Sequence, residues 1–201
     1  VLIEPRDRFV FVPLLYELMS GELKGWEVAP DYASLLQGHG ISHLQDRAGS
    51  IDLDARCVTT ASGHALQYSQ LVIATGAQPE DFGIQGVRDN ALNFHTLSDL
   101  QPLQERVQEL RRRPSGTSSL VIAGAGATGV ELACKLVDML NGAAKVQLVE
   151  LGDQILPRSK AFNREQAEKA LKKRGVTVHL NTRVDSVTAT SVILSGAQGS
   201  S

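Results

Sequence analysis

The sequence predicts an α/β chain in which helices alternate with parallel strands, and three observations carry that prediction. An apolar run, SLVIA (119–123), leads straight into the glycine-rich turn Gly124-Ala125-Gly126-Ala127-Thr128-Gly129, and the turn opens a stretch with helical periodicity. A second apolar run, KVQLVE (145–150), follows and stops at Glu150. The opening residues VLIEPRD repeat that later pattern, with Leu2 matching Leu148, Ile3 matching Val149, Glu4 matching Glu150 and Asp7 matching Asp153. Strand, glycine turn, helix and a second strand ending in an acid together form the fingerprint of a dinucleotide-binding βαβ unit. A partial second copy predicts a Rossmann-like fold with two dinucleotide-binding units. The first copy's glycine turn would lie about 25 residues upstream of Glu4, before Val1. The expected fold is therefore truncated at its start, and the incomplete second unit makes it truncated at its end as well.

Taken in order, residues 1–4 read as a buried strand and residues 26–38 as a short helix with Val28, Leu35 and Leu36 inward. From Ile41 to Ala74 the pattern is β, with turns at Gly49-Ser50, Asp54-Ala55 and Ser62-Gly63, and LVIATG (71–76) reads as a buried strand. Residues 77–93 read as a linker. Thr96 and Asp99 form a capping pair for a helix whose apolar face is Leu100, Leu103, Val107 and Leu110. The helix over 127–141 places Val130, Ala133, Leu136, Val137 and Leu140 on one side and ends at Gly142. A further helix spans about 163–174, capped by Asn163 and stopped by Gly175, and strands near 176–180, 183–188 and 191–194 follow. The tail GAQGSS reads as a hairpin tip or an appended remnant.

Composition narrows the function. Twenty Lys and Arg against 22 Asp and Glu give a net charge of -2, which argues against nucleic acid as a partner. The basic run Arg111-Arg112-Arg113 ends a helical pattern, where cations suit the helix dipole. Cys57 and Cys134 form no CxxC, so neither a redox pair nor a zinc knuckle is indicated. His39 and His43 are four apart, but Gly38 and Gly40 break the helix that would make them co-ligands, so no metal site is expected. No apolar run reaches the ~18 residues that suggest a membrane span.

Each glycine of the turn has its own task. Gly124 permits the tight turn off the strand, Gly126 lets a pyrophosphate approach the backbone, and Gly129 lets the helix pack on the strand. Backbone amides of Gly126, Ala127 and Thr128 then face the phosphates at a helix N-terminus. Glu150 can accept hydrogen bonds from both adenosine ribose hydroxyls and would repel a 2′-phosphate, which favours NAD(H) over NADP(H). Glu4 would hold a second ribose in the same way. The plainer alternative for both is a solvated acid at a strand end.

Three stretches, VLIEPRDRFVFVPLLYELMSGEL (1–23), LVIATGAQPEDFGIQG (71–86) and VIAGAGATGVELA (121–133), resemble the type II NADH dehydrogenases, single-subunit NADH:quinone oxidoreductases that contain FAD. The resemblance runs from Val1 to about Leu194. The stretch YELMSGELKGWEVAP is similar to the cyanobacterial and plastid branch, linked to plastoquinone and demethylphylloquinone reduction. The resemblance implies that Glu4 and Arg6 contact the FAD adenosine, that Ala74, Thr75 and Gly76 lie against FAD, and that Glu131 stands beside the nicotinamide and flavin rings as the catalytic-site residue. Pro13, Leu14, Leu15 and Tyr16 would pack near the flavin. Read without the resemblance, Glu131 is a helix first-turn acid and the 13–16 stretch is core.

The expected organisation is a partial FAD-binding domain over 1–90, lacking its glycine turn, and an NAD(H)-binding domain over 91–201 with its C-terminal part incomplete. The expected function is flavin-dependent transfer of a hydride from NADH to FAD and of electrons onward to a quinone. The alternatives are a ferredoxin-reductase-like flavoenzyme with a protein acceptor and a non-catalytic NAD(H)-binding module. The resemblance also implies a cytoplasmic protein, peripheral on the membrane through a C-terminal segment outside this chain, and compatible with a homodimer.

Overall fold

The computed structural model describes residues 1–196; positions 197–201, which hold most of the GAQGSS tail, lie outside the described residues. Two compact units form, one over residues 1–78 and one from residue 79 onward.

In the first unit, β1 (Leu2–Ile3) runs parallel to β2 (His43–Leu44), with Leu2 opposite His43 and Ile3 opposite Leu44. A 3-10 turn (Val12–Leu14) and three short α-helices connect them: α1 (Leu15–Ser20), α2 (Gly25–Val28) and α3 (Tyr32–Leu36). The single helix expected over 26–38 is split in two. Pro30 excludes helical geometry from the residue before it, and Ala29 sits at φ -134°. Asp31 then starts α3 afresh, its carboxylate accepting the Ser34 N–H at 2.7 Å. The break changes the helical phase. Val28 is fully buried as expected, whereas Leu35 is 42% exposed and Leu36 only half-buried. Helix α1, not anticipated, supplies Leu15, Tyr16 and Met19 to the core, which Val28, Ala29 and Tyr32 complete.

An antiparallel sheet follows, ordered β3 (Ala48–Asp52), β4 (Cys57–Thr60) and β5 (Ala65–Gln67). Gly49, expected in a turn, lies inside β3 at a register shift, where a Cβ would press on the Thr59 carbonyl at 3.2 Å. The expected strand at 71–76 is absent. Residues 71–80 form no helix or strand, and Val72 and Ile73 are 85% and 64% exposed. An apolar run forms a strand only where a neighbour completes its hydrogen-bond ladder, and no described strand pairs with it.

In the second unit, the segment expected as a linker holds a one-turn helix, α4 (Val87–Asn90). Helix α5 (Leu97–Arg112) begins as expected: the Asp99 carboxylate accepts the Thr96 N–H at 2.7 Å, and all four predicted face residues are buried. The parallel sheet β6 (Ser119–Ala123), β7 (Lys145–Val149), β8 (Thr177–His179) is ordered β6-β7-β8. Helix α6 (Ala127–Leu140) joins β6 to β7, and α7 (Ala161–Lys173) joins β7 to β8. The α6 core face is Val130, Leu132, Ala133, Leu136 and Leu140, with Val137 half-buried. Asn141, left-handed at φ 48°, caps α6 one residue before the expected Gly142. Helix α7 starts after Lys160, ahead of the expected Asn163. A hairpin of β9 (Thr182–Val187) and β10 (Val192–Gly196) ends the described chain.

Candidate functional site

The βαβ unit brings its predicted residues to the C-terminal ends of β6 and β7, the edge where open parallel sheets bind ligands. Gly124 takes φ 96° as the chain leaves β6, a left-handed value open to glycine without strain, and its N–H donates to the Val149 carbonyl at 2.8 Å. Ala125, fully buried, is tied through both its N–H and its carbonyl. The N–H donates to Glu150 Oε2 at 2.7 Å, and the carbonyl accepts the Leu156 N–H at 2.8 Å. At Gly129 a Cβ would collide with the Gly124 carbonyl oxygen, so the first turn of α6 closes on the strand only with glycine there. At Gly126, by contrast, nothing lies within 4 Å of a Cβ position. The packing reason for glycine holds at Gly129, while Gly126 opens onto free space in front of the α6 N-terminus. Ala127 and Thr128 are exposed beside it, which fits an anionic diphosphate.

Glu150 is held at the end of β7 by two ladder bonds, its N–H to the His179 carbonyl at 2.8 Å and its carbonyl from the Thr182 N–H at 2.9 Å. Its Oε1 accepts the Gly152 N–H at 2.9 Å. Each carboxylate oxygen thus holds one backbone donor and retains a lone pair for another. Glu131 lies in the second turn of α6, beyond the first turn, and is exposed.

Glu4 repeats this arrangement in the first unit. Its N–H donates to the Leu44 carbonyl at 3.2 Å, as that of Glu150 does to His179, and its Oε1 accepts the N–H two residues on, from Arg6, at 2.9 Å. Where Glu150 binds Ala125, Glu4 binds the Arg6 guanidinium, with Nε at 2.8 Å and Nη2 at 3.0 Å. That bidentate contact holds the Glu4 carboxyl below its usual range against the opposing effect of burial. Ala74, Thr75 and Gly76 are exposed and lie outside any helix or strand. Of the 13–16 stretch, Leu15 and Tyr16 are buried, Leu14 is half-buried and Pro13 is exposed.

Three contributors escape sequence reasoning. His43 donates Nε2–H to the Glu4 carbonyl at 2.9 Å, and its ring packs on Tyr32 with centroids 4.8 Å apart. A carbonyl oxygen only accepts, so the bond fixes the proton on Nε2. His43 therefore secures the strand end that carries Glu4, and its position next to the apolar Leu44 is the one available signal. Leu156 and Arg164, which hold the loop after β7, carry no local sequence signal. No group of three or more His, Cys, Asp or Glu side chains among the described residues could hold a metal ion.

The family model described as pyridine nucleotide-disulphide oxidoreductase matches residues 1–200. The demethylphylloquinone reductase NdbB of Synechocystis sp. is 37% identical over 198 residues, which cover 96% of this chain and 49% of that protein. The alternative NAD(P)H-ubiquinone oxidoreductase C1 of Arabidopsis thaliana is 34% identical, over 93% of this chain and 39% of that protein. Among solved structures, NDH2 of Plasmodium falciparum in complex with NADH superposes with a TM-score of 0.82 at 21% identity, over 98% of this chain and 46% of that one. The superposition carries the two-dinucleotide flavoprotein fold over 98% of this chain, and the chain spans half or less of the length of each of these relatives.

Proposed function

Since this chain belongs to the pyridine nucleotide-disulphide oxidoreductase family, we propose that the intact protein is an NADH dehydrogenase that passes electrons through FAD to a quinone of the plastoquinone or demethylphylloquinone type. The observation that carries the reading is the glycine turn: Ala125 fixed by Glu150 and Leu156, with open space in front of Gly126. In this reading the amides of Gly126, Ala127 and Thr128 bind the NADH diphosphate, Gly124 and Gly129 shape the turn, and Glu150 accepts the adenosine ribose hydroxyls. Glu131 borders the nicotinamide end.

The first unit supplies the flavin side. Glu4 has an exposed arginine at its carboxylate and one lone pair left on Oε2, a donor and acceptor set that fits an adenosine ribose and its phosphate. Ala74, Thr75 and Gly76 offer small, exposed backbone for the FAD to lie against. Bound flavin supplies the two-electron chemistry, and the chain's own residues bind and align the two cofactors. Cys57 and Cys134, both half-buried and unbonded, offer no dithiol for a disulfide substrate. No helix among the described residues is long and apolar enough to cross a membrane. The reading is of a cytoplasmic protein, and it is compatible with peripheral attachment to a membrane and with a homodimer.

The test is steady-state oxidation of NADH by the flavin-loaded full-length protein, with plastoquinone and demethylphylloquinone analogues compared against an iron–sulfur protein. Quinone-dependent turnover supports the reading. Turnover with the iron–sulfur protein alone would replace it with a ferredoxin-reductase-like function, and NADH binding without turnover would leave a nucleotide-binding module.

A further inference from the structure

The loop between β7 and α7 is anchored at both ends of a single turn. Leu156, which binds the Ala125 carbonyl, sits at φ 47°, a left-handed conformation that a leucine holds only where its surroundings impose it. Its own carbonyl accepts the Ser159 N–H at 2.9 Å, which closes a turn over 156–159. Arg164, half-buried near the start of α7, spans that turn. Its Nε donates to the Ile155 carbonyl at 3.2 Å and its Nη2 to the Ser159 carbonyl at 3.4 Å. Ile155, whose carbonyl the guanidinium holds, is itself buried at 2% exposure.

We propose that Arg164 is a positioning residue for the dinucleotide site. It fastens the 155–159 turn to α7, the turn presents the Leu156 N–H to Ala125, and that bond keeps the Ala125 peptide turned away so that the next amides face the ligand. Arginine suits the task because its rigid planar fork engages two carbonyls at once. The role rests on the reading that the glycine turn binds NADH.

The experiment uses the flavin-loaded full-length protein carrying Arg164→Gln or Arg164→Lys, with Lys169→Gln on the exposed side of α7 as control. Amide exchange of the 151–160 and 124–126 segments is measured without nucleotide, and steady-state kinetics with NADH. Arg164→Gln is expected to speed exchange in both segments and to raise the KM for NADH about tenfold with kcat within about twofold, the signature of lost binding common to ground and transition states. Arg164→Lys, which keeps a donor, recovers part of both effects, and Lys169→Gln changes neither. Faster exchange with an unchanged KM overturns the proposal and leaves Arg164 a purely structural contact, as does unchanged exchange in both segments. Should the wild-type protein show no saturable dependence on NADH, the functional reading itself fails and the positioning role falls with it. The exchange data tell that outcome apart, because they need no nucleotide. Should Arg164→Gln not fold, the Lys variant carries the same two measurements.

Discussion

The carboxylate of Glu150 accepts the backbone N–H of Ala125 at 2.7 Å, so the acid that ends β7 holds the glycine turn that ends β6. One side chain links the two places where the βαβ unit would meet a dinucleotide, the diphosphate at the turn and the ribose at the strand end. Because Ala125 is fully buried, its N–H has no water to fall back on.

Replacing Glu150 separates its two duties. Glu150→Gln keeps one acceptor oxygen but turns an NH2 group toward one of two backbone donors, so either Ala125 or Gly152 loses its bond. It also removes the negative charge that would repel a 2′-phosphate. The expected result is weaker NADH binding and a preference for NADH over NADPH reduced by about tenfold, equivalent to roughly 1.4 kcal/mol. The ratio of kcat/KM for the two nucleotides measures it; an unchanged ratio would remove Glu150 from nucleotide selection.

Leu148 and Leu35 offer a contrast in stability. Leu148 is fully buried in β7, with its side chain near Gly129. Leu148→Ala is expected to cost about 2–5 kcal/mol through lost burial and the cavity left behind. Leu35→Ala, at a 42% exposed position, should stay within about 0.5 kcal/mol. Denaturant unfolding of both variants, followed by circular dichroism, decides between them, and equal losses would contradict the described core.

What is legible in the sequence follows from which requirements are written in residue type. A glycine at 124 or 129 states a backbone need directly, the first through its left-handed φ and the second through its contact with the Gly124 carbonyl, so the turn, the helix start and the strand ends can be read from the residues alone. So can the pairing of Glu4 with Glu150, which recurs as matched bonds to the neighbouring strand and to the second residue on. Leu71 to Ile73 mislead because apolarity signals burial without naming a partner strand. Pro30 is a visible stop signal inside the helix expected over 26–38. The left-handed Leu156 has no signal at all: its N–H meets the carbonyl of the distant Ala125, and Arg164 binds the carbonyls of Ile155 and Ser159 around it, contacts that no local pattern announces.

Acid should act on the first unit through Glu4. In the folded protein its carboxyl is held below the ordinary value of 4.5, chiefly by the hydrogen bond from Arg6. A depressed acid contributes stability that is present above the unfolded value and lost as pH falls through the folded one. Arg6→Met should therefore lower stability most at pH above 4.5, with the gap to wild type closing as pH drops below that value. Urea titrations across this range measure the gap. Added salt should narrow it, because the Arg6 side chain is 60% exposed. A gap that widened toward acid would reverse the assigned sign.

Gly126 and Gly129 should fail in opposite ways. At Gly129 an added methyl meets the Gly124 carbonyl oxygen, which is backbone fixed by the turn and unable to swing aside. Gly129→Ala must therefore push α6 off β6, at a cost of roughly 1–3 kcal/mol, with nucleotide binding lost as a consequence. At Gly126 the backbone is extended, at φ -70° and ψ -175°, so alanine fits without strain and its methyl points into open space. Gly126→Ala should leave the unfolding midpoint near wild type and weaken NADH binding by itself, because that open space is where the diphosphate would lie. Calorimetric titration with NADH beside thermal unfolding of each variant separates the two. Wild-type affinity in a stable Gly126→Ala protein would mean that the space before α6 is not where the dinucleotide binds.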